Sequence, residues 1–230
     1  MEMMILGLIL FLGSHSLGIF APLWREKTVG KIGLNPYKGI TSLVALAGII
    51  LIVKGHDNAL DSLTWGWAPP LFTKHLTVLL MLFALIMLVS SFVPNNHIKA
   101  KLKHPMILGV KIWAFSHLIC NGEGANVILF GSFLVWAVLD FRSVRQKDRL
   151  ASQADTVNHF PGVADQTINS APIPQPSTFN TLLCIVLGAL IWLALVAYLH
   201  NLLFGVYPIL IPGVIGPSLA PAAAAVVMPT

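Results

Sequence analysis

Charge is scarce in this sequence. Only 10% of its 230 residues are Asp, Glu, Lys or Arg, where a soluble domain carries roughly a quarter. With 56% hydrophobic residues and a mean hydropathy of +0.81, that scarcity excludes an ordinary soluble domain. The composition places the chain in the membrane class before any motif is read. Cysteine is scarce too. Cys120 and Cys184 both lie in apolar runs, with no CxxC and no Cys/His framework. A zinc module and a disulfide scaffold are thereby excluded, and both residues read as small buried hydrophobes. There is no Ser/His/Asp elbow, no P-loop and no dinucleotide fingerprint. Neither an internal repeat nor a pair of broken helices stands out, which argues against a transporter. The acidic residues Asp57, Asp61, Glu123 and Asp140 fall at the ends of apolar runs, so no proton-relay chain is visible.

What the sequence does have is length in its apolar runs. A membrane span needs roughly 20 apolar residues, and six candidates are present. They are Met3 to Trp24, about Gly39 to Val53, His75 to Val93, about Pro105 to Asn121, about Ala125 to Asp140, and Phe179 to Phe204. The first run has Glu2 where a signal peptide would carry a basic residue, so it reads as a retained helix. The expected fold is therefore all-α, a polytopic bundle of about six transmembrane helices.

The 14 Lys+Arg against 9 Asp+Glu give a net charge of +5. The basic residues gather in three segments between spans: Arg25, Lys27, Lys31 and Lys38; Lys99, Lys101 and Lys103; and Arg142, Arg145, Lys147 and Arg149. This is the charge of topology and of anionic lipid, not of nucleic-acid binding. By the positive-inside rule these segments face the cytoplasm and both termini lie outside. Residues 1–210 read as one transmembrane domain. Its polar inner loop, about 141–178, reads as disordered linker from about Gln146 to Ser177 because of its prolines. Residues 211–230 form a low-complexity tail.

The chemistry must come from polar residues in the oil. Five histidines lie in or at the ends of spans: His15, His75, His104, His117 and His200. By the rise of a helix, His15 lies roughly 13 Å and His117 roughly 18 Å from the cytoplasmic ends of their spans. Both are near the midplane of a core about 30 Å thick. Two histidines on different helices at one depth suit a single haem iron, whereas zinc wants three or four ligands at one level. The alternative is an ordinary hydrogen bond that ties two helices together.

Around these histidines, Ser14 and Gly18 form a small-xxx-small pair that permits close helix approach. Trp113, His117 and Asn121 form one stripe at i, i+4 and i+8. Trp113 lies against a ligand ring or serves packing. Asn121 orients a ligand or caps the helix with Gly122. Glu123 then falls in an outer turn. His104 precedes Pro105, a favoured helix start, and is the reserve ligand. His75 and His200 fall near the outer surface and rank lower.

Four stretches together resemble the NnrU-like family. They are "GSHSLGIFAPLWREKTVGKIGLNPYKGITSLVALAGIILIVKG", "WAPPLFTKHLTVLLML", "KHPMILGVKIWAFSHLICNGEGANVILFGSFLVWAVLD" and "YLHNLLFGVYP". The resemblance covers most of residues 1–210 in order. It implies a bacterial inner-membrane protein linked to nitrite and nitric oxide metabolism in denitrifiers. A plant and cyanobacterial branch is similar and includes zeta-carotene isomerase. That branch implies a haem b held by two histidines, matching His15 and His117 here, and a cis-to-trans isomerisation of a polyene. The "LICNGE" run after His117 departs from the isomerase pattern and favours the denitrification-type branch. The expected partners are the lipid bilayer and either nitric oxide or a lipophilic polyene. A structural or transport-type membrane protein without haem is the reading that remains if no cofactor binds.

Overall fold

The computed structural model describes residues 1–63, 65–158 and 175–208. All regular structure among them is helical. Six segments form the spans. They are α1 (Glu2–Phe20), α3 (Leu34–Ser62), α4 (Leu71–Phe92), α6 (Pro105–Cys120), α7 (Gly124–Asn158) and a last span that opens with α8 (Thr178–Ala194). The last span passes through one π-helical turn at Leu195–Leu199 and ends in α9 (His200–Phe204). Five of these stretches are long and apolar enough to cross a membrane, and α6 is shorter. Two short helices, α2 (Pro22–Ile32) and α5 (His97–Leu102), lie between spans in segments that had read only as basic loops. The all-α membrane bundle expected from composition is what the chain forms.

The spans stand in a row in the order α3, α1, α7, α6, α4, α8, each packed chiefly on its neighbours. With no hydrophobic force between helices in lipid, such packing relies on small residues that let backbones approach. Gly7 of α1 meets Gly48 and Ile52 of α3 so closely that a Cβ there would strike their backbone. Gly55 meets Met4 in the same way. The Ser14/Gly18 pair is not the contact. A Cβ at Gly18 would meet open space.

Each end of the row is fastened by hydrogen bonds. At the end that carries the N-terminus, Trp67 N–H donates to the Gly122 carbonyl at 3.1 Å, and Gly124 N–H to the Trp65 carbonyl at 3.0 Å. The segment between α3 and α4 is thereby pinned to the turn between α6 and α7. At the opposite, basic end, the buried Asn96 donates to the carbonyls of Ser90 and Val93 and accepts from Lys99 N–H at the start of α5. Nearby, Ser177 N–H donates to the Asn95 carbonyl and His97 N–H to Thr181 Oγ1, which ties α5 to α8.

Two helices are longer than their apolar runs. The second span was expected over Gly39 to Val53, but α3 spans Leu34–Ser62. Its polar C-terminal turns stay helical because they pack on α1 and α7, where Gly55 and Ala59 are buried. The fifth was expected to end near Asp140, but α7 continues to Asn158. No glycine or proline interrupts 141–158, so nothing stops the helix there. The linker reading therefore fails for 146–158. Its prolines begin at Pro161, and Pro161, Pro172 and Pro174 lie outside the described residues, as does the tail.

Candidate functional site

The same five-residue arrangement occurs on two antiparallel helices. In α1 it is Phe11-Leu12-Gly13-Ser14-His15, and in α6 it is Trp113-Ala114-Phe115-Ser116-His117. In α1 the His15 Nδ1 lies 2.8 Å from the Phe11 carbonyl, and Ser14 Oγ donates to the same oxygen at 2.8 Å. In α6 the His117 Nδ1 lies 3.0 Å from the Trp113 carbonyl, and Ser116 Oγ donates to that oxygen at 2.9 Å. A carbonyl oxygen only accepts, so each Nδ1 carries a proton and donates it, and Nε2 takes no part in that bond. Each imidazole also packs on the aromatic ring one turn behind it, His15 on Phe11 at 4.5 Å and His117 on Trp113 at 5.7 Å between centroids.

Both units rest on a stripe of aromatic residues along α7. Phe133 touches both, meeting Phe11 at 5.5 Å and Trp113 at 5.1 Å. Phe130 packs against His117 at 4.8 Å, and Trp136 meets His15 edge-on at 6.0 Å. Helices α1 and α6 flank α7 without packing closely on each other. The result is a groove with α7 as its floor and one histidine on each wall. His117 is half-buried, while His15 is exposed on the lipid-facing surface of the chain.

The histidines do not share one depth. Phe11 and Trp113 both reach Phe133 and mark a common level. His15 lies four residues toward the basic end from it, and His117 four residues toward the opposite end, about 6 Å each by helical rise. The depth estimate erred because the first span was expected to run to Trp24, whereas α1 ends at Phe20, five residues beyond His15. Side chains on a helix lean toward its N-terminus. The imidazoles nonetheless pack at different levels of α7, His117 on Phe130 and His15 against Trp136, on either side of Phe133.

The other expected residues have clear places. Asn121 is the C-cap of α6, and its Nδ2 donates to the His117 carbonyl at 2.9 Å, so it caps and touches no imidazole. Glu123 is exposed in the turn that follows. His104 N-caps α6, and its Nε2 lies 3.0 Å from Asp148 Oδ2 on the basic extension of α7. That nitrogen is therefore already engaged, which weighs against the reserve role. His75 is exposed on α4. His200 follows the π turn with its Nδ1 2.8 Å from the Val206 carbonyl. Cys184 is fully buried and Cys120 half-buried, both free.

Sequence reasoning missed the floor of the groove: Phe130, Phe133 and Trp136. The signal was available in the i, i+3, i+6 spacing of aromatics in α7 and in the repeated aromatic-x-x-Ser-His unit. It also missed the His56–Asn126–Glu123 chain at the N-terminal end, where His56 Nε2 lies 2.9 Å from Asn126 Oδ1 and Asn126 donates to Glu123 at 2.9 Å.

The donor set is of the kind that ligates haem iron: two imidazoles, each with Nδ1 held by a backbone carbonyl as metal-ligating histidines commonly are, beside a stripe of aromatic rings. The two rings stand at different levels of that stripe, His117 at Phe130 and His15 at Trp136. Among the described residues, no group of three or more His, Cys, Asp or Glu side chains is gathered for a bare ion. In comparison with known proteins, a family profile described as NnrU protein matches residues 3–208. No curated protein and no solved structure matches the chain. The chain belongs to the NnrU family.

Proposed function

We propose that this NnrU-family membrane protein binds haem b through His15 and His117 and acts in bacterial nitrite and nitric oxide metabolism. The observation that carries the proposal is the pair of matching units on α1 and α6. Both imidazoles have Nδ1 committed to the backbone, and both pack on the aromatic stripe of α7, His117 at Phe130 and His15 at Trp136. Bound there, the group would supply a redox-active iron able to take nitric oxide as a ligand. The chain's own part is to hold the two imidazoles in one tautomer, to exclude water with Phe11, Trp113, Phe130 and Phe133, and to keep the groove within the bilayer. In this reading the basic end, with α2, α5 and the extension of α7, faces the cytoplasm of a bacterial inner membrane. Both termini face the periplasm.

A second reading, haem-dependent cis–trans isomerisation of a polyene such as a carotenoid, draws on one feature. The exposure of His15 opens the groove sideways to lipid, the route by which a hydrocarbon would enter. Titration of the purified, dithionite-reduced protein separates the two. The first reading expects the ferrous Soret band to shift with nitric oxide at near-stoichiometric amounts and the cis/trans ratio of an added cis-carotene to stay constant. Isomerisation of the carotene would replace it with the second.

A further inference from the structure

The other flank of α1, where it meets α3, holds a second cleft. The two helices touch backbone to backbone at Gly7 with Gly48 and at Met4 with Gly55. Toward the basic end that contact gives way to a cavity of about 250 Å3, walled by Gly13 and Leu17 of α1, Trp24 and Thr28 of α2, and Tyr37 and Val44 of α3. The chain turns at Ala21 and again at Gly33, whose φ is 86°, and α2 between these turns supplies the third wall. The hydroxyls of the lining are engaged within their own helices. Ser14 Oγ donates to the Phe11 carbonyl, Thr28 Oγ1 to that of Trp24, and Thr41 Oγ1 to that of Tyr37. The interior they leave is hydrocarbon. Gly13 keeps it open, since a Cβ there would meet nothing within 4 Å.

The rim is polar and positive. The Arg25 guanidinium stands over the Tyr37 ring, 5.6 Å from its centroid. Arg25 is half-buried, and its side chain makes no hydrogen bond or ion pair among the described residues. The Tyr37 hydroxyl has no such partner either, and it is not sealed within the protein. Lys27, Lys31 and Lys38 are exposed on the same two helices. Glu26, the one carboxylate of α2, is exposed and pairs with none of them.

We infer that this cleft binds one anionic phospholipid, with an acyl chain between α1 and α3 and the phosphate on Arg25 and Tyr37. A guanidinium presents a planar fork of donors that matches phosphate oxygens. Stacking on an aromatic face holds it in place without using those donors. A hydrocarbon chain alone leaves both rim donors unpaired, and a free anion leaves the cleft unfilled. An amphiphile with an anionic head satisfies both parts. The basic end is also the level at which Lys and Arg attract anionic headgroups. The cleft lies across α1 from the histidine groove, so the inference stands whether or not haem binds.

The test is native mass spectrometry of the purified full chain with phosphatidylglycerol, phosphatidylcholine and glycerol 1-phosphate as probes. Wild-type protein is expected to hold one phosphatidylglycerol about ten-fold tighter than phosphatidylcholine, the scale of hydrogen bonds to a charged group, and to take up no glycerol phosphate. Arg25→Gln is expected to erase most of that preference. Lys101→Gln, which removes the same charge from the exposed surface of α5, is expected to leave it. Gly13→Leu, which fills the cleft, is expected to weaken phosphatidylglycerol binding about ten-fold. Equal wild-type binding of the two lipids would mean an ordinary lipid shell and overturn the inference. Equal losses in Arg25→Gln and Lys101→Gln would mean general charge attraction and overturn it too. Glycerol phosphate that competes as well as the lipid, or unchanged binding in a folded Gly13→Leu, would remove the acyl-chain cleft. The wild-type comparison of probes decides the matter even if Gly13→Leu fails to fold.

Discussion

Phe133 of α7 stands edge-on to Trp113 of α6, with ring centroids 5.1 Å apart and planes at 89°. The same ring meets Phe11 of α1, so one side chain carries both histidine-bearing walls. Phe133→Ala is expected to loosen both at once. The half-buried ring gives a loss of about 2–4 kcal/mol in detergent thermal unfolding and faster haem loss. Phe130→Ala, which touches only the α6 side, is expected to alter His117 alone. Dissociation rates measured for both variants check the distinction.

The serines beside the histidines are expected to matter little. Ser14 and Ser116 donate to carbonyls of their own helices, and each imidazole is already tied to the same oxygen. Ser14→Ala and Ser116→Ala should each change stability by less than about 1 kcal/mol and leave the Soret position where it is. A loss of colour in either variant would mean that the hydroxyl, not the carbonyl, fixes the ring.

Close helix contact gives a contrast within α1 and α3. A Cβ at Gly48 would strike the backbone of Phe11 and Gly7, whereas one at Gly18 meets nothing. Gly48→Ala is expected to cost about 1–3 kcal/mol, and Gly18→Ala to be near neutral. Thermal scans of the two variants in one detergent decide it.

Asn96 serves the basic end in the same decisive way. It is buried, and its side chain satisfies two carbonyls and caps α5. Asn96→Ala leaves those groups unpaired and is expected to cost about 1–3 kcal/mol. Proteolysis near α5 should rise in parallel.

The span count and fold class were legible because apolar length is written directly in sequence. Helix ends were less so. The extension of α7 past Asp140 is polar, and polarity alone could not separate a surface helix from a linker. The histidine pair was legible as chemistry, but its geometry was not. Matching depth was inferred from assumed span ends, and α1 ends at Phe20 instead of Trp24, which leaves His15 near the basic end of its span. The floor residues Phe133 and Trp136 were not singled out, since only helix order shows what lies on either side of α7. The close contact of Gly7 with Gly48 depends on two helices meeting, which no single run of residues reveals.

The most direct measurement is the visible spectrum of the full chain, purified from cells supplied with ample haem precursor, oxidised and dithionite-reduced. It is recorded beside His15→Ala and His117→Ala. The account predicts a haem b spectrum of six-coordinate type in the wild type and loss of that coordination in either variant. A colourless wild type, or full six-coordinate spectra in both variants, would contradict it and return His15 and His117 to the role of backbone-bonded packing residues.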